Sequence, residues 1–342
     1  MEESYRALAL QARCKALSGV DDPVQARIVM RASISRIAKQ VAAAVAFIGR
    51  DTRLVVLPEY VLTGHPTGEP FAQWRDVAAV DVGGAEEDAL GEIAQASDLY
   101  LAANLYERDP AFPELYFQSC LIFDPSGVVA LRYRRLNSFM TPTPHDVLDK
   151  YLDEYGPDSI FPVAATDIGT LACIASDEIL FPEVARCLAM RGAEVFCHST
   201  SEVSSSQLTQ KDVAKRARAI ENMACVVSAN TGGIEGSPIP GDSTDGKSQI
   251  VDYEGRVLVE AGPGESMVAY ATIELASLRR ARRRPGMGNM LARSRFDLYA
   301  AAYADAKHFA ANGLGDGREP ERAWFVEAQR AVIERLDGEG LL

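Results

Sequence analysis

Apolar residues along the chain fall into two kinds of run. Short continuous ones, Leu54-Val55-Val56-Leu57, Leu99–Leu105, Leu171-Ala172-Cys173-Ile174-Ala175 and Val195-Phe196-Cys197, have the length of buried strands. Longer segments place an apolar residue every three or four positions and read as amphipathic helices. Residues 23–48 are the clearest of these, with Asp21 or Asp22 as N-cap and Ile28, Ile34, Ile37, Val41 and Val45 as the apolar stripe. A strand within 4–14 precedes this helix and a strand over 53–60 follows it, which is a βαβ pattern. A helix over 85–96 and a strand from Leu99 come next, then a hairpin of 116–123 and 128–133 turning at Asp124-Pro125-Ser126-Gly127.

The second half repeats the scheme. The strand at 171–175 leads into a short helix with Pro182 in its first turn and Gly192 at its left-handed C-cap. A strand at 195–197, a helix over 207–222, a strand at 224–229, a hairpin turning at 253–256 and a last strand over 267–273 complete it. The order βαβ, hairpin, βαβ, hairpin specifies a layered α/β protein, and periodicity alone leaves the choice among such folds open.

Two segments stand apart. Residues 136–165 form a long connection in which Thr143, Pro144 and Asp146 start a helix with Leu148, Tyr151, Leu152 and Tyr155 on one face. This segment is expected to act as a lid over a pocket. Residues 286–342 are expected to be a C-terminal helical extension to a 1–285 domain, with helices near 289–309 and 321–337 around a Gly-rich break at 312–317. Trp324, Phe325, Ala328, Val332 and Leu336 on the last helix need a surface to cover them, either a sister subunit in a homodimer or higher homo-oligomer or the chain's own domain.

Composition narrows the function classes. A formal charge of −13 argues against a nucleic-acid partner. No apolar run approaches the roughly 20 residues of a membrane span, and the N-terminus carries acids where a signal peptide has basic residues, so a cytoplasmic location with no membrane partner is expected. The six cysteines include no CxxC pair and no zinc-site spacing, so no metal is expected and most are read as buried thiols. The cluster Arg279, Arg280, Arg282, Arg283 and Arg284 reads as a solvated helix end.

Candidate chemistry gathers at strand ends. Ser176-Asp177-Glu178 lies at the C-terminal end of the 171–175 strand, where open α/β folds place reacting groups. Glu59 lies at the end of the 53–60 strand, where partial desolvation suits a carboxyl for proton transfer, although a glutamate at such a position is commonly a plain surface residue.

The stretch Ser176-Asp177-Glu178-Ile179-Leu180-Phe181-Pro182-Glu183 resembles the nitrilase superfamily of carbon–nitrogen hydrolases, whose motif is a cysteine, any residue, an acid, two variable residues, an aromatic and Pro-Glu. Val56-Leu57-Pro58-Glu59-Tyr60 with Thr63-Gly64, and Tyr133-Arg134-Arg135 at the end of the hairpin, are similar to its other two motifs. The resemblance runs from about 5 to 285. It implies a four-layer αββα sandwich, no organic cofactor, a small-molecule amide, carbamoyl or nitrile substrate, and Glu59 as general base. It also exposes departures. Ser176 stands where the family has its nucleophilic cysteine, Arg135 where it has its lysine, and Gln118 where asparagine is usual.

Glu178 falls on the motif's acid and is expected in the pocket. The family's second glutamate beyond the lysine is missing, and His145 or Asp146 is the candidate to replace it; a helix N-terminal acid is the plainer reading of Asp146. His198, with Ser199, Thr200, Ser201 and Glu202, follows a strand and could line the same pocket, though a lone histidine is more often structural. Three readings compete: an active enzyme with a natural Glu59–Arg135–Ser176 site, a catalytically inactive relative that binds a small molecule or partner, and a cysteine-to-serine knock-out of an ordinary amidase. A knock-out would change one position, and here two differ, which favours natural divergence.

Overall fold

A computed structural model of the protein describes residues 2–306 and 308–342. Two mixed sheets form its middle. The first runs, in spatial order, Tyr270–Ile273, Tyr5–Ala9, Thr52–Val56, Tyr100–Arg108, Phe117–Phe123 and Val129–Arg134, with Val80–Asp81 pairing beside Tyr100–Arg108. The second runs Val257–Glu260, Gln249–Val251, Cys225–Ala229, Val195–Ser199, Gly169–Ala175 and Ala164–Thr166. Each has a parallel centre flanked by antiparallel strands.

Alternation along the first sheet decides the layering, because successive strand side chains point to opposite faces. Ala7, Ala9, Leu54, Val56, Ala102 and Ile122 join a core shared with the second sheet. Their neighbours Leu8, Val55, Leu101, Ala103 and Leu121 pack instead on the helices Pro23–Ile48 and Ala85–Ser97. The helices Pro182–Met190 and Gln210–Asn222 cover the far side of the second sheet. The result is the four-layer αββα sandwich.

The first long helix starts where expected: Val24 N donates to Asp22 Oδ1 at 3.0 Å, with Pro23 in the first turn. Its buried stripe is Ala26, Met30, Ile34, Ile37, Val41, Ala44 and Ile48, whereas Ile28 is 55% exposed and faces away. Thr143 and Asp146 form the expected capping box ahead of Leu148–Tyr155. The arginine-rich helix, Leu275–Arg283, is less solvated than its composition implies. Arg279 grips Glu194 with Nε and Nη2 at 2.6 and 2.7 Å, and Arg282 donates to the carbonyls of Met223 and Ala193.

The helix expected near 289–309 breaks into Met290–Arg293 and Phe296–Asp305, with Ser294 extended between them. The C-terminal residues fold back onto their own chain. Leu314 is buried against Phe112, Leu115, Phe117, Val147 and Tyr151, and Leu314 N donates to Asp146 O. Phe325 of the last helix, Arg322–Gly338, is buried as well.

One buried ion network braces the hairpin that carries Arg135. Arg134 donates through Nε and Nη2 to Glu107 Oε1 at 2.9 and 2.6 Å, also pairs with Asp109, and lies 4.8 Å over the Phe117 ring. Arg134→Ala would leave two carboxylates buried with too little positive charge, so a loss of about 3 kcal/mol is expected. Urea denaturation at neutral pH reads it out.

Candidate active site

Two strands of the first sheet and one of the second end at a common hollow. Beyond Thr52–Val56 the chain runs through Leu57 and Pro58 to Glu59, whose N–H donates to the carbonyl of Thr200, just past the strand Val195–Ser199, at 3.3 Å. Beyond Val129–Arg134 comes Arg135, and beyond Gly169–Ala175 comes Ser176 in a single 3₁₀ turn, Ser176–Leu180. Tyr60 and Ser176 both adopt left-handed backbone, with φ of 57° and 52°. Residues with a Cβ avoid this region unless surrounding contacts enforce it, and such strain clusters at functional sites.

The hollow is a cavity of about 470 Å³ lined by Tyr60, Arg135, Ser176, Asp177, Ser201 and Lys211, among others. Glu59 does not line it but is wholly buried directly behind two residues that do, Ser201 and Arg135. Gln118 Nε2 donates to Glu59 Oε1 at 2.6 Å, Ser201 Oγ donates to Oε2 at 2.7 Å, and Arg135 Nη1 lies 3.7 Å from Oε1. Burial alone would push this carboxyl up. The Arg135 and Lys211 cations and the two hydrogen bonds outweigh it and hold Glu59 below the usual carboxylate range.

Arg135 is fastened on every side. Nε donates to Asn137 O at 2.7 Å, Nη1 donates to Gln118 Oε1 at 2.7 Å, and Nη2 pairs with Asp177. Gln118 therefore bridges the cation to Glu59 with the two ends of one amide. A guanidinium so anchored acts as a fixed positive charge, with three of its five N–H groups engaged and one each on Nη1 and Nη2 left to offer.

The other sequence-predicted residues fall into three places. Glu178 is buried behind the hollow and does not line it. Tyr133 donates to its Oε2 at 2.8 Å, and the N–H groups of Leu136 and Asn137 donate to its Oε1 at 2.7 and 2.9 Å, so it staples the segment after Arg135 to the Ser176 turn. Burial holds its carboxyl above the ordinary value despite Arg135 and these donors. His145 and Asp146 line a second cavity, of about 660 Å³, between the 136–161 segment and the C-terminal helix; Asp146 accepts from Thr143 there. This chamber meets the first at Ser138, Phe139 and Asp177.

His198 lies beneath Ser176 and is wholly buried. Its Nε2 is 2.7 Å from Ser176 O, so that nitrogen carries the hydrogen, and Nδ1 accepts from Ser228 Oγ at 2.8 Å. Burial, reinforced by Lys215, keeps the ring neutral by lowering its pKa well below the ordinary value. The unfolded chain therefore binds a proton that the folded ring refuses. Stability from this site is complete above about pH 6.5 and is lost as the pH falls below it. His65, also lowered by burial, adds in the same direction. The urea midpoint is expected to drop between pH 6.5 and 5, and to drop less steeply in His198→Gln, where His65 remains.

Two residues escaped the sequence reading. Asp177 fills the motif's variable position, which carries no signal. Lys211 enters from the helix Gln210–Asn222, placing Nζ 3.5 Å from Ser176 Oγ and 3.0 Å from Thr200 Oγ1. Its signal was a lysine in a helix first turn, against the dipole. The thiols of Cys14, Cys173, Cys197 and Cys225 are pushed up by burial, the opposite of what a thiolate nucleophile requires. Among the described residues no group of His, Cys, Asp and Glu is placed to hold a metal ion.

Known proteins are similar to this chain in sequence and in fold. A formamidase from Bacillus cereus (strain Q1) is 31% identical over 228 residues, which is 65% of this chain and 63% of that protein. A formamidase from Bacillus thuringiensis (strain Al Hakam) is 30% identical over the same shares, so the chain spans less than two thirds of the length of these curated relatives. Among solved structures, a carbon–nitrogen hydrolase from Helicobacter pylori G27 has a TM-score of 0.68 at 23% identity, covering 88% of this chain and 98% of that one. Saccharomyces cerevisiae Nit3, a member of branch 10 of the nitrilase superfamily, has a TM-score of 0.66 at 20% identity, covering 86% of this chain and 98% of the other. The carbon–nitrogen hydrolase family model matches residues 24–283, and the chain belongs to that family.

Proposed function

We propose that the protein hydrolyses a carbon–nitrogen bond in a small amide, carbamoyl or nitrile compound through an atypical Glu59–Arg135–Ser176 site. Ser176 occupies the place of the family's cysteine and Arg135 that of its lysine. The observation that carries the reading is a strained Ser176 and an anchored Arg135 lining one cavity, with Glu59 buried directly behind Arg135 and Ser201 and held below the usual carboxylate range. Family membership and the formamidase relatives support amide substrates.

In this reading Ser176 Oγ attacks the substrate carbon and loses its proton to a neighbouring base. With an amide or carbamoyl substrate the leaving amine takes a proton and departs, and water then cleaves the resulting ester. A nitrile first gives an imidate, from which ammonia leaves only after water has added. Glu59 is a general base in the cycle. Arg135 lowers the energy of negative charge developing on the substrate oxygen through its fixed field and the N–H groups it has left to donate. No cofactor is needed for acyl transfer of this kind.

Ammonia release from a panel of short amides, carbamoyl compounds and nitriles tests the proposal, with Ser176→Cys alongside. Turnover by the unaltered protein is expected. Turnover by Ser176→Cys alone would make Ser176 the remnant of a lost nucleophile and favour a binding role for the cavity.

A further inference from the structure

A serine hydroxyl ionises far less readily than a thiol, so replacing cysteine by serine raises the demand on the base. Glu59 meets it poorly, since both its oxygens already accept hydrogen bonds and its carboxyl, 3.7 Å from the Arg135 guanidinium, is held below the usual carboxylate range. His198 is no alternative. Its N–H is directed at the carbonyl of Ser176, not the hydroxyl, and its other nitrogen is taken by Ser228. Lys211 is the titratable side chain that reaches Ser176 Oγ among the described residues, at 3.5 Å.

We propose that Lys211 is the base that takes the proton from Ser176, so that the amine acts from the helix Gln210–Asn222 while Arg135 holds the strand-end position. This inference rests on the reading of Ser176 as nucleophile and adds the group that activates it. A neutral amine has two hydrogens and one lone pair. It can donate to Thr200 Oγ1 at 3.0 Å and accept from Ser176 Oγ at the same time. As the Oγ–carbon bond forms, the Oγ proton moves to Nζ. The ammonium then returns that proton to the departing nitrogen as the carbon–nitrogen bond breaks, which leaves an ester on Ser176 and a neutral lysine. Glu59 remains for the water that cleaves the ester.

The surroundings make the neutral amine easier to reach than in a free lysine. Lys211 is the second residue of its helix, where the unpaired N–H groups disfavour a cation. Burial is the largest influence on its pKa and lowers it; Arg135 and Lys215 act the same way, while Glu59 and Glu202 oppose them, and the balance lies below the ordinary lysine value. Of these neighbours, Glu59 titrates below the usual carboxylate range and Arg135 stays charged, so neither changes state where the amine does.

Labelling of Ser176 by a fluorophosphonate separates this inference from the function it rests on. The hydroxyl attacks phosphorus, fluoride leaves, and the base takes the proton; intact mass and peptide mapping follow the rate. Labelling of the unaltered protein is expected to rise with pH through one ionisation below the lysine reference of about 10.4. Lys211→Met and Lys211→Arg should both label about 100-fold more slowly and lose that rise, with thermal melting confirming that they are folded. The arginine variant is decisive, because it keeps the cation at the helix end but cannot give up its proton. Labelling of Lys211→Arg at the unaltered rate would overturn the base role and leave Ser176 as nucleophile. Failure to label Ser176 in the unaltered protein would overturn both.

Discussion

Replacing Ser176 by alanine is expected to lower kcat/KM for any amide substrate by about 10⁴-fold or more, the scale seen when a covalent nucleophile is removed. The fold should survive, because what holds this turn does not involve the hydroxyl. His198 grips the Ser176 carbonyl, and Glu178 fastens the turn to Tyr133 and to the chain after Arg135. The left-handed backbone at 176 tolerates alanine no better and no worse than serine in steric terms. Melting temperature should therefore move little while turnover collapses. Retained turnover in Ser176→Ala would mean that water attacks the substrate carbon directly, with Glu59 as base and no enzyme ester.

Glu59→Gln is expected to cost about 10³-fold in kcat, with a much smaller change in KM. The substitution keeps the shape of the side chain. It removes the anion that Arg135 Nη1 faces at 3.7 Å and replaces one acceptor with an amide, so Gln118 or Ser201 must turn to accommodate it. The loss thus combines a missing base with an Arg135 that shifts further towards Asp177. Equal kcat in Glu59→Gln and the unaltered protein, by steady-state ammonia release, would remove Glu59 from the chemistry.

The sandwich was largely readable in the chain because strand ends and helix caps are local signals. Asp22 and Pro23 mark one helix start, Thr143 and Asp146 another, and Pro182 a third, and each holds. Ile28 was misplaced because a stripe counted from side-chain type alone cannot tell which of two apolar neighbours faces the sheet; Met30 does. The short strands Cys14–Lys15 and Ile234–Glu235 pair only with each other across more than two hundred residues, and two residues are too few for a period to show.

The site was legible in part for a related reason. Glu59, Arg135 and Ser176 sit at strand ends inside recognisable motifs. Glu178 was assigned to the pocket because motif position says nothing of side-chain direction, and it turns inward to bind backbone N–H groups. Lys211 has no motif, and its approach to Ser176 depends on how the helix Gln210–Asn222 lies over the second sheet, a tertiary fact. The basic residues of Leu275–Arg283 were misjudged likewise. Their partners, Glu194 and the carbonyls of Ala193 and Met223, come from elements far away in sequence.

The most direct test of a covalent reaction at Ser176 is the mass of the protein quenched during turnover of an amide substrate, followed by mapping of the peptide that contains residue 176. The account requires a mass gain equal to the acyl group, located on Ser176 and absent from Ser176→Ala. Continued turnover with Ser176 never acylated, or an acyl group found on a cysteine such as Cys187 instead, would contradict it.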